Sequence, residues 1–277
     1  MAVVAGWVGG LLGVLAAVAA PAGVAAPGTV GAVGAVSGPA ARTGVAAASR
    51  AAPGGTGGTG APGGPGGRAS FAVGFVAVAE VDASIGQEMR YATPHNFTGA
   101  VVDGYDEPVC LLARPAAEAL RRAQREVLRR GYSLLVHDCY RPQRAVDRFV
   151  RWARDGADQS TKAEFYPGVA KDRLIPEGYI AERSGHSRGS TVDVTLAELG
   201  RGALDLGTPF DFFDPLAHTD SPRVTGAARE RRDLLKRVLG RQGFVNLPQE
   251  WWHFTYAPES FPATYFDFPV SVASVHR

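Results

Sequence analysis

Two short segments carry residue types that act together in hydrolytic chemistry. The first is Ser184-Gly185-His186-Ser187-Arg188-Gly189-Ser190-Thr191-Val192-Asp193. Its histidine stands on a loop of small residues and its aspartate inside an apolar run. Gly189 lets the backbone bend between them, so both side chains can aim at one point. An aspartate flanked by Val192 and Val194 is expensive to bury unless it is paired or coordinates a cation. The second segment is Glu250-Trp251-Trp252-His253. A Glu-x-x-His spacing suits a histidine that binds metal and a carboxylate that faces the water on that metal. His186, Asp193 and His253 would fill three positions around zinc and leave the fourth open, as in a catalytic rather than a structural site. Zinc lowers the pKa of its water to roughly 7. Glu250 could then take a proton from that water and hand it to a leaving amine. The plainer reading is a surface aspartate and an ordinary loop histidine.

A third piece is Asp138-Cys139-Tyr140-Arg141-Pro142. An arginine at the end of a buried strand, held by a following proline, is well placed to stabilise an oxyanion. By spacing alone, a salt bridge from Arg141 to Asp138 or Asp147 is the simpler expectation. Cys139 beside Arg141 invites a nucleophile reading, but no acid or histidine partner is evident apart from His137. The two cysteines, Cys110 and Cys139, could pair in an exported protein or stay as buried thiols.

These residues need elements to position them. The apolar run Phe71–Val81 reads as a first strand. Leu111–Arg130 reads as a helix, because Ala116, Leu120, Ala123 and Val127 recur at helical spacing and Gly131 follows. Tyr132–Val136 reads as a buried strand running into the Asp138 segment. Pro142 starts a helix to about Asp155, with Ala145, Val146, Phe149 and Val150 buried. In Thr191–Leu196 the residues Val192, Val194 and Leu196 face one side, and Asp193 and Thr195 the other. Ala227–Arg241 reads as a helix with Leu234, Leu235, Val238 and Leu239 as its stripe, and Trp251–Tyr256 as a strand. Residues three apart in a strand face opposite ways, so Glu250 belongs in the turn before that strand. Pro248 agrees with a non-ladder backbone there. Tyr265–Val270 reads as a strand or extended cover. Helices and short strands mix without a βαβ rhythm. The expected fold is α+β: one domain with a small, mainly antiparallel sheet flanked by helices and the zinc site on the sheet.

Composition limits what folds. The chain has 277 residues. The first 70 or so are nearly all Ala, Gly, Val, Pro, Ser and Thr, too poor in large apolar side chains to offset ordering entropy. Trp7–Ala20 forms an apolar run that suits a signal-peptide core, with small residues after it, although no Lys or Arg precedes it. The expected layout is a signal over 1–26, a disordered Ala/Gly/Pro-rich linker over 27–70 and a catalytic domain over 71–277. That places the protein in the secreted or cell-envelope fraction. An uncleaved signal would anchor it in the membrane, and a false signal would leave it cytoplasmic. The net charge of +2 argues against a nucleic-acid partner. The arginines clustered in 121–130 and 229–237 read as solvated helix faces.

Together these segments resemble the VanX-type D-alanyl-D-alanine dipeptidases of peptidase family M15. The matching stretches are YATPHNFTG (91–99), VDGYDEP (102–108), DCYRPQRAV (138–146), SGHSRGSTVDVTL (184–196), FDFFD (210–214), GFVNLPQEWWHF (243–254) and YFDFPV (265–270). The resemblance implies one zinc per chain on His186, Asp193 and His253, Glu250 as catalytic base and acid, and Arg141 as transition-state stabiliser. It implies a narrow cavity for the dipeptide D-Ala-D-Ala, with Asp211 and Tyr91 contacting its ammonium group and Ser184 a further contact beside the metal. Two alternatives stand beside it. One is a D,D-carboxypeptidase trimming peptidoglycan stems. The other is a catalytically silent, zinc-containing wall-binding module, for which Glu250 would be superfluous.

Overall fold

The computed structural model describes residues 72–276. The signal reading for 1–26, the linker reading for 27–70 and Phe71 lie outside the described residues.

The chain opens with β1 (Phe75–Ala77), a single helical turn α1 (Val78–Val81) and a short β2 (Gly86–Gln87). The expected first strand is therefore cut short at Ala77. Its partner β3 (Leu111–Ala113) offers only three positions, in antiparallel register from Phe75↔Ala113 to Ala77↔Leu111, so the ladder ends there. β3 also corrects the expected start of the next helix, because Leu111–Ala113 is strand and α2 spans Arg114–Leu128. Pro115 lies in the first turn of α2, where its missing N–H costs nothing. Ala113 N–H donates instead to Gly189 O (2.7 Å). Ala116, Leu120, Ala123 and Val127 are all buried, and Gly131, at φ +81°, ends the segment.

β4 (Tyr132–Asp138) runs longer than the sequence reading, and α3 (Gln143–Arg154) follows with Pro142 as its N-cap. Ala145, Val146, Phe149 and Val150 form its buried face, as expected. A short α4 (Lys162–Phe165) precedes β5 (Thr191–Glu198), β6 (Gly202–Ala203), α5 (Gly226–Arg241), β7 (Phe244–Asn246) and β8 (His253–Tyr256). Leu235, Val238 and Leu239 of α5 are buried, whereas Leu234 is only partly so.

The main sheet runs β2-β4-β5-β8-β7, with β6 attached to β5. β2 pairs parallel with β4 and every other pairing is antiparallel. This is the expected α+β arrangement. α2 packs on β4, α5 packs on β5 and β7, and the two helices touch, forming one layer. The Phe97 ring meets those of Tyr91, Phe149, Trp152 and Phe213 edge-on or tilted, and together they form an aromatic wall. Tyr265–Val270 is an extended cover and not a strand. Only Val270 forms a bridge, to Tyr105, while Phe266 and Phe268 meet the Phe75 ring edge-on at 5.2 and 5.1 Å.

Candidate metal centre

Three neighbouring strands bring the centre together. In the ladders Asp193 of β5 pairs with His253 of β8 on one side and with Asp138 of β4 on the other. The β4 register slips between Val136 and Asp138, so two β4 residues answer one step of β5. Such a bulge re-aims the side chains beyond it, and here it sets Asp138 directly opposite Asp193.

His186 comes from a turn of 3₁₀ helix, Gly185–Arg188. The Ser184 side chain caps it by accepting from His186 N–H at 3.2 Å. Gly189 closes the turn at φ +76°, and a Cβ there would stand 2.2 Å from the Phe75 ring. Only glycine combines that left-handed backbone with that packing. His186 Nδ1–H donates to the Cys139 carbonyl at 2.7 Å. That bond fixes the tautomer and turns Nε2, with its lone pair, toward Asp193 and His253.

The three ligand atoms lie close together. His186 Nε2 is 3.3 Å from Asp193 Oδ2, His253 Nδ1 is 3.2 Å from Asp193 Oδ1, and the two nitrogens are 3.3 Å apart. In a tetrahedron with zinc-length arms of about 2.0–2.2 Å, ligand atoms stand roughly 3.3–3.6 Å apart. Asp193 is 2% exposed, and its Oδ1 is buried without a hydrogen-bond donor. Burial by itself would raise the Asp193 carboxyl, but His186 and His253 hold it far below the usual carboxylate range. Burial would likewise lower His253, but hydrogen bonds to Asp193 and Glu250 push it up to about 9. The cluster thus favours positive charge at its centre, and the donor set fits a metal ion with an open position. It is the one such cluster among the described residues.

Glu250 lies in the turn before β8, as its spacing required, with Oε2 3.3 Å from His253 Nδ1. Arg141 does form the simpler salt bridge, Nε donating to Asp138 Oδ2 at 2.9 Å. Yet its guanidinium also lies 3.5 Å from Asp193 Oδ2 and over the Tyr91 and Phe149 rings at 5.0 and 5.1 Å. Local pairing and a place at the centre therefore coexist. Asp147 hydrogen-bonds Gln143 instead.

A cavity of about 200 Å³ opens on this centre. Tyr91, Arg141, Ser184, Asp193, Asp211, Glu250 and His253 all line it, and His186 stands behind them. Asp211 holds φ +60°, an uncommon left-handed backbone for a residue other than glycine. It is buried and accepts from the Tyr91 hydroxyl at 2.9 Å. Burial first, and the Asp193 charge second, push its carboxyl well above the ordinary value, with Arg141 and Tyr91 opposing. The wall is completed by Tyr179, Ile180, Ala181 and Trp252, which no spacing rule singled out because their role depends on loop placement.

The cysteine question is also settled by position. Cys110, just before β3, and Cys139, just after β4, form a disulfide with Cα atoms 5.3 Å apart. Since Cys139 also supplies the carbonyl that orients His186, the bond braces the centre. A Cys139 nucleophile has no place in such an arrangement.

Comparison with known proteins adds a family. A family profile described as D-ala-D-ala dipeptidase matches residues 71–271. A protein of Enterococcus faecalis named D-alanyl-D-alanine dipeptidase is 41% identical over 199 residues, 72% of this chain and 98% of its own. One of the same name from Streptomyces coelicolor is 42% identical over 198 residues, 71% of this chain and 98% of its own. An Escherichia coli protein, again so named, is 30% identical over 179 residues, 65% of this chain and 82% of its own.

Proposed function

Since the chain belongs to the M15 peptidase family of D-Ala-D-Ala dipeptidases, we propose that it hydrolyses the D-alanyl-D-alanine dipeptide to two D-alanines with a single zinc ion. The observation that carries this reading is the convergence of His186, Asp193 and His253 at zinc-like separations, with Glu250 3.3 Å from His253, on a cavity of about 200 Å³. Ordinary ligand pockets run to about 300–1,000 Å³, so the volume favours a very small substrate.

Zinc, when bound, supplies a Lewis acid and lowers the pKa of a water to roughly 7. Glu250 takes the proton of the attacking water on one oxygen and returns it to the amine nitrogen as the amide bond breaks. Arg141 donates to the carbonyl oxygen as negative charge develops on it. Asp211 holds the substrate ammonium. Its carboxyl lacks a full positive partner of its own, and an ammonium supplies one. Tyr91 aims that carboxylate through its hydroxyl, and Ser184, on the cavity wall beside His186, is a further contact for the peptide.

The test is amine release from D-Ala-D-Ala by the purified protein, with zinc or with a chelator, beside a D-Ala-terminated pentapeptide. Zinc-dependent cleavage of the dipeptide alone is the expected result. Cleavage of the pentapeptide would replace the reading with a D,D-carboxypeptidase, and binding without turnover with a silent wall-binding module.

We further propose, from the apolar run Trp7–Ala20, that the enzyme acts outside the cytoplasm. The Cys110–Cys139 disulfide supports this, because such bonds persist in oxidising compartments. Fractionation should recover the protein from medium or envelope. Recovery from the cytosol with both thiols reduced would overturn it.

A further inference from the structure

Asp138 is the buried carboxylate at the centre that the reaction above leaves unused. It is 0% exposed. Its Oδ1 accepts from the Tyr105 hydroxyl at 2.6 Å. Its Oδ2 accepts from Arg141 Nε at 2.9 Å and stands 3.4 Å from His186 Nδ1. A carboxylate sealed from water costs several kcal/mol unless it is paired and fully hydrogen-bonded. Asp138 meets that requirement with two functional partners rather than with a remote lysine or arginine.

The demand on Arg141 runs the other way. An oxyanion donor is effective only if it is already aimed before charge develops. A guanidinium has five N–H donors on a long, flexible stem. Nε is committed to Asp138, and Nη2 lies 2.9 Å from the same Asp138 oxygen and 3.5 Å from Asp193 Oδ2, while the Tyr91 and Phe149 rings confine the guanidinium plane. That leaves the Nη1 donors for the cavity that Arg141 lines. Tyr105 in turn is buried, with its ring 5.6 Å from that of Tyr91 and its backbone bridged to Val270 under the C-terminal cover.

We propose that Asp138, locked by the Tyr105 hydroxyl, is a positioning residue that presets the Arg141 guanidinium over the cavity and, through the same oxygen, steadies the His186 imidazole. The proposal rests on the hydrolytic role given to Arg141 and deepens it. The β4 bulge is its structural origin, because a regular ladder would not set Asp138 opposite Asp193.

The experiment uses the full chain loaded with zinc and the variants Asp138→Asn and Tyr105→Phe. For D-Ala-D-Ala, kcat should fall about 10–100-fold in Asp138→Asn and about three- to tenfold in Tyr105→Phe, with KM changed less than about threefold in both. A purely structural role would not give that split. Guanidinium salt added to Arg141→Ala should restore part of kcat, and it should not do so in the Asp138→Asn, Arg141→Ala double variant. Variants that keep kcat within about twofold, or guanidinium rescue that survives in the double variant, would overturn the proposal. If Asp138→Asn does not fold, Tyr105→Phe decides by itself, since it removes one hydroxyl only. Competition with a chelator reads the His186 half separately: Asp138→Asn should bind zinc about tenfold more weakly, and unchanged affinity would remove that half. Should the parent chain fail to cleave D-Ala-D-Ala, the dipeptidase reading falls, and the zinc competition still decides whether Asp138 supports His186.

Discussion

Asp193 sits between Val192 and Val194 in the middle strand of the site, where burial by itself would drive a carboxyl neutral. It stays ionised because two imidazoles face it, and that is the electrostatic condition for holding a cation. Glu250 differs in being reachable from the cavity and 3.3 Å from His253. Glu250→Gln should keep zinc, measured by metal analysis, and lose about 10²–10⁴-fold in kcat. Near-parent turnover would show that another group moves the proton. His137 lies one residue from Asp138 yet outside the cavity, stacked on Phe210 at 4.9 Å. Burial, reinforced by Arg90, lowers its pKa to about 4. The folded protein therefore prefers neutral His137. The stability this preserves is complete above the ordinary value of about 6.5 and is lost as pH falls from there through about 4. Unfolding free energies from denaturant melts should drop over that window by up to about 3 kcal/mol, and His137→Phe should flatten that part of the slope. An equally steep slope in the variant would assign it to other groups.

The elements meet at the centre through their ends and irregularities. β4 contributes by a bulge, β5 by its third residue and the 3₁₀ turn before it, and β8 by its first residue. The disulfide ties the entrance of β3 to the exit of β4 across a sequence separation of 29. Closing a loop of that size removes about 3–4 kcal/mol of chain entropy from the unfolded state. Replacing both cysteines with serine should lower unfolding free energy by about that amount, read from denaturant melts. Activity should fall further than stability at low temperature, because the Cys139 carbonyl loses its brace on His186. The aromatic motif near the C-terminus acts at this scale as well. Phe266 and Phe268 pack on Phe75, whose ring also fills the space beside Gly189. Gly189→Ala should destabilise by more than about 1 kcal/mol, since strain at positive φ adds to the clash. A melt within about 0.5 kcal/mol of the parent would mean that the turn relaxes.

For the molecule as a whole, a metal held by His186, Asp193 and His253 would be a ligand of the folded state. Zinc held at about a thousand times its dissociation constant adds about 4 kcal/mol, which for a domain of this size is roughly 8–16 °C in Tm. Melts with zinc and with a chelator should differ by that much in the parent. The difference should vanish in His253→Ala, and its persistence would remove His253 from the ligand set. Much of this could be read along the chain. His186, Asp193, Glu250 and His253 were legible because metal chemistry admits few residue types, and loop or strand spacing restricts where they stand. The helices α2, α3 and α5 were legible from their apolar period, which records one buried face. Neighbours distant in sequence were not legible. The sequence left open whether Cys110 meets Cys139 and whether Arg141 serves Asp138 or the cavity, and its helical period wrongly took in Leu111–Ala113, which is strand. Those answers depend on which strands lie side by side, on one bulge in β4 and on how the Gly178–Gly185 loop closes the cavity. Chemistry and local periodicity are properties of short segments, and a chain carries them in its order of residues. Pairing and enclosure are properties of the packed whole, where burial couples residues that the sequence holds far apart.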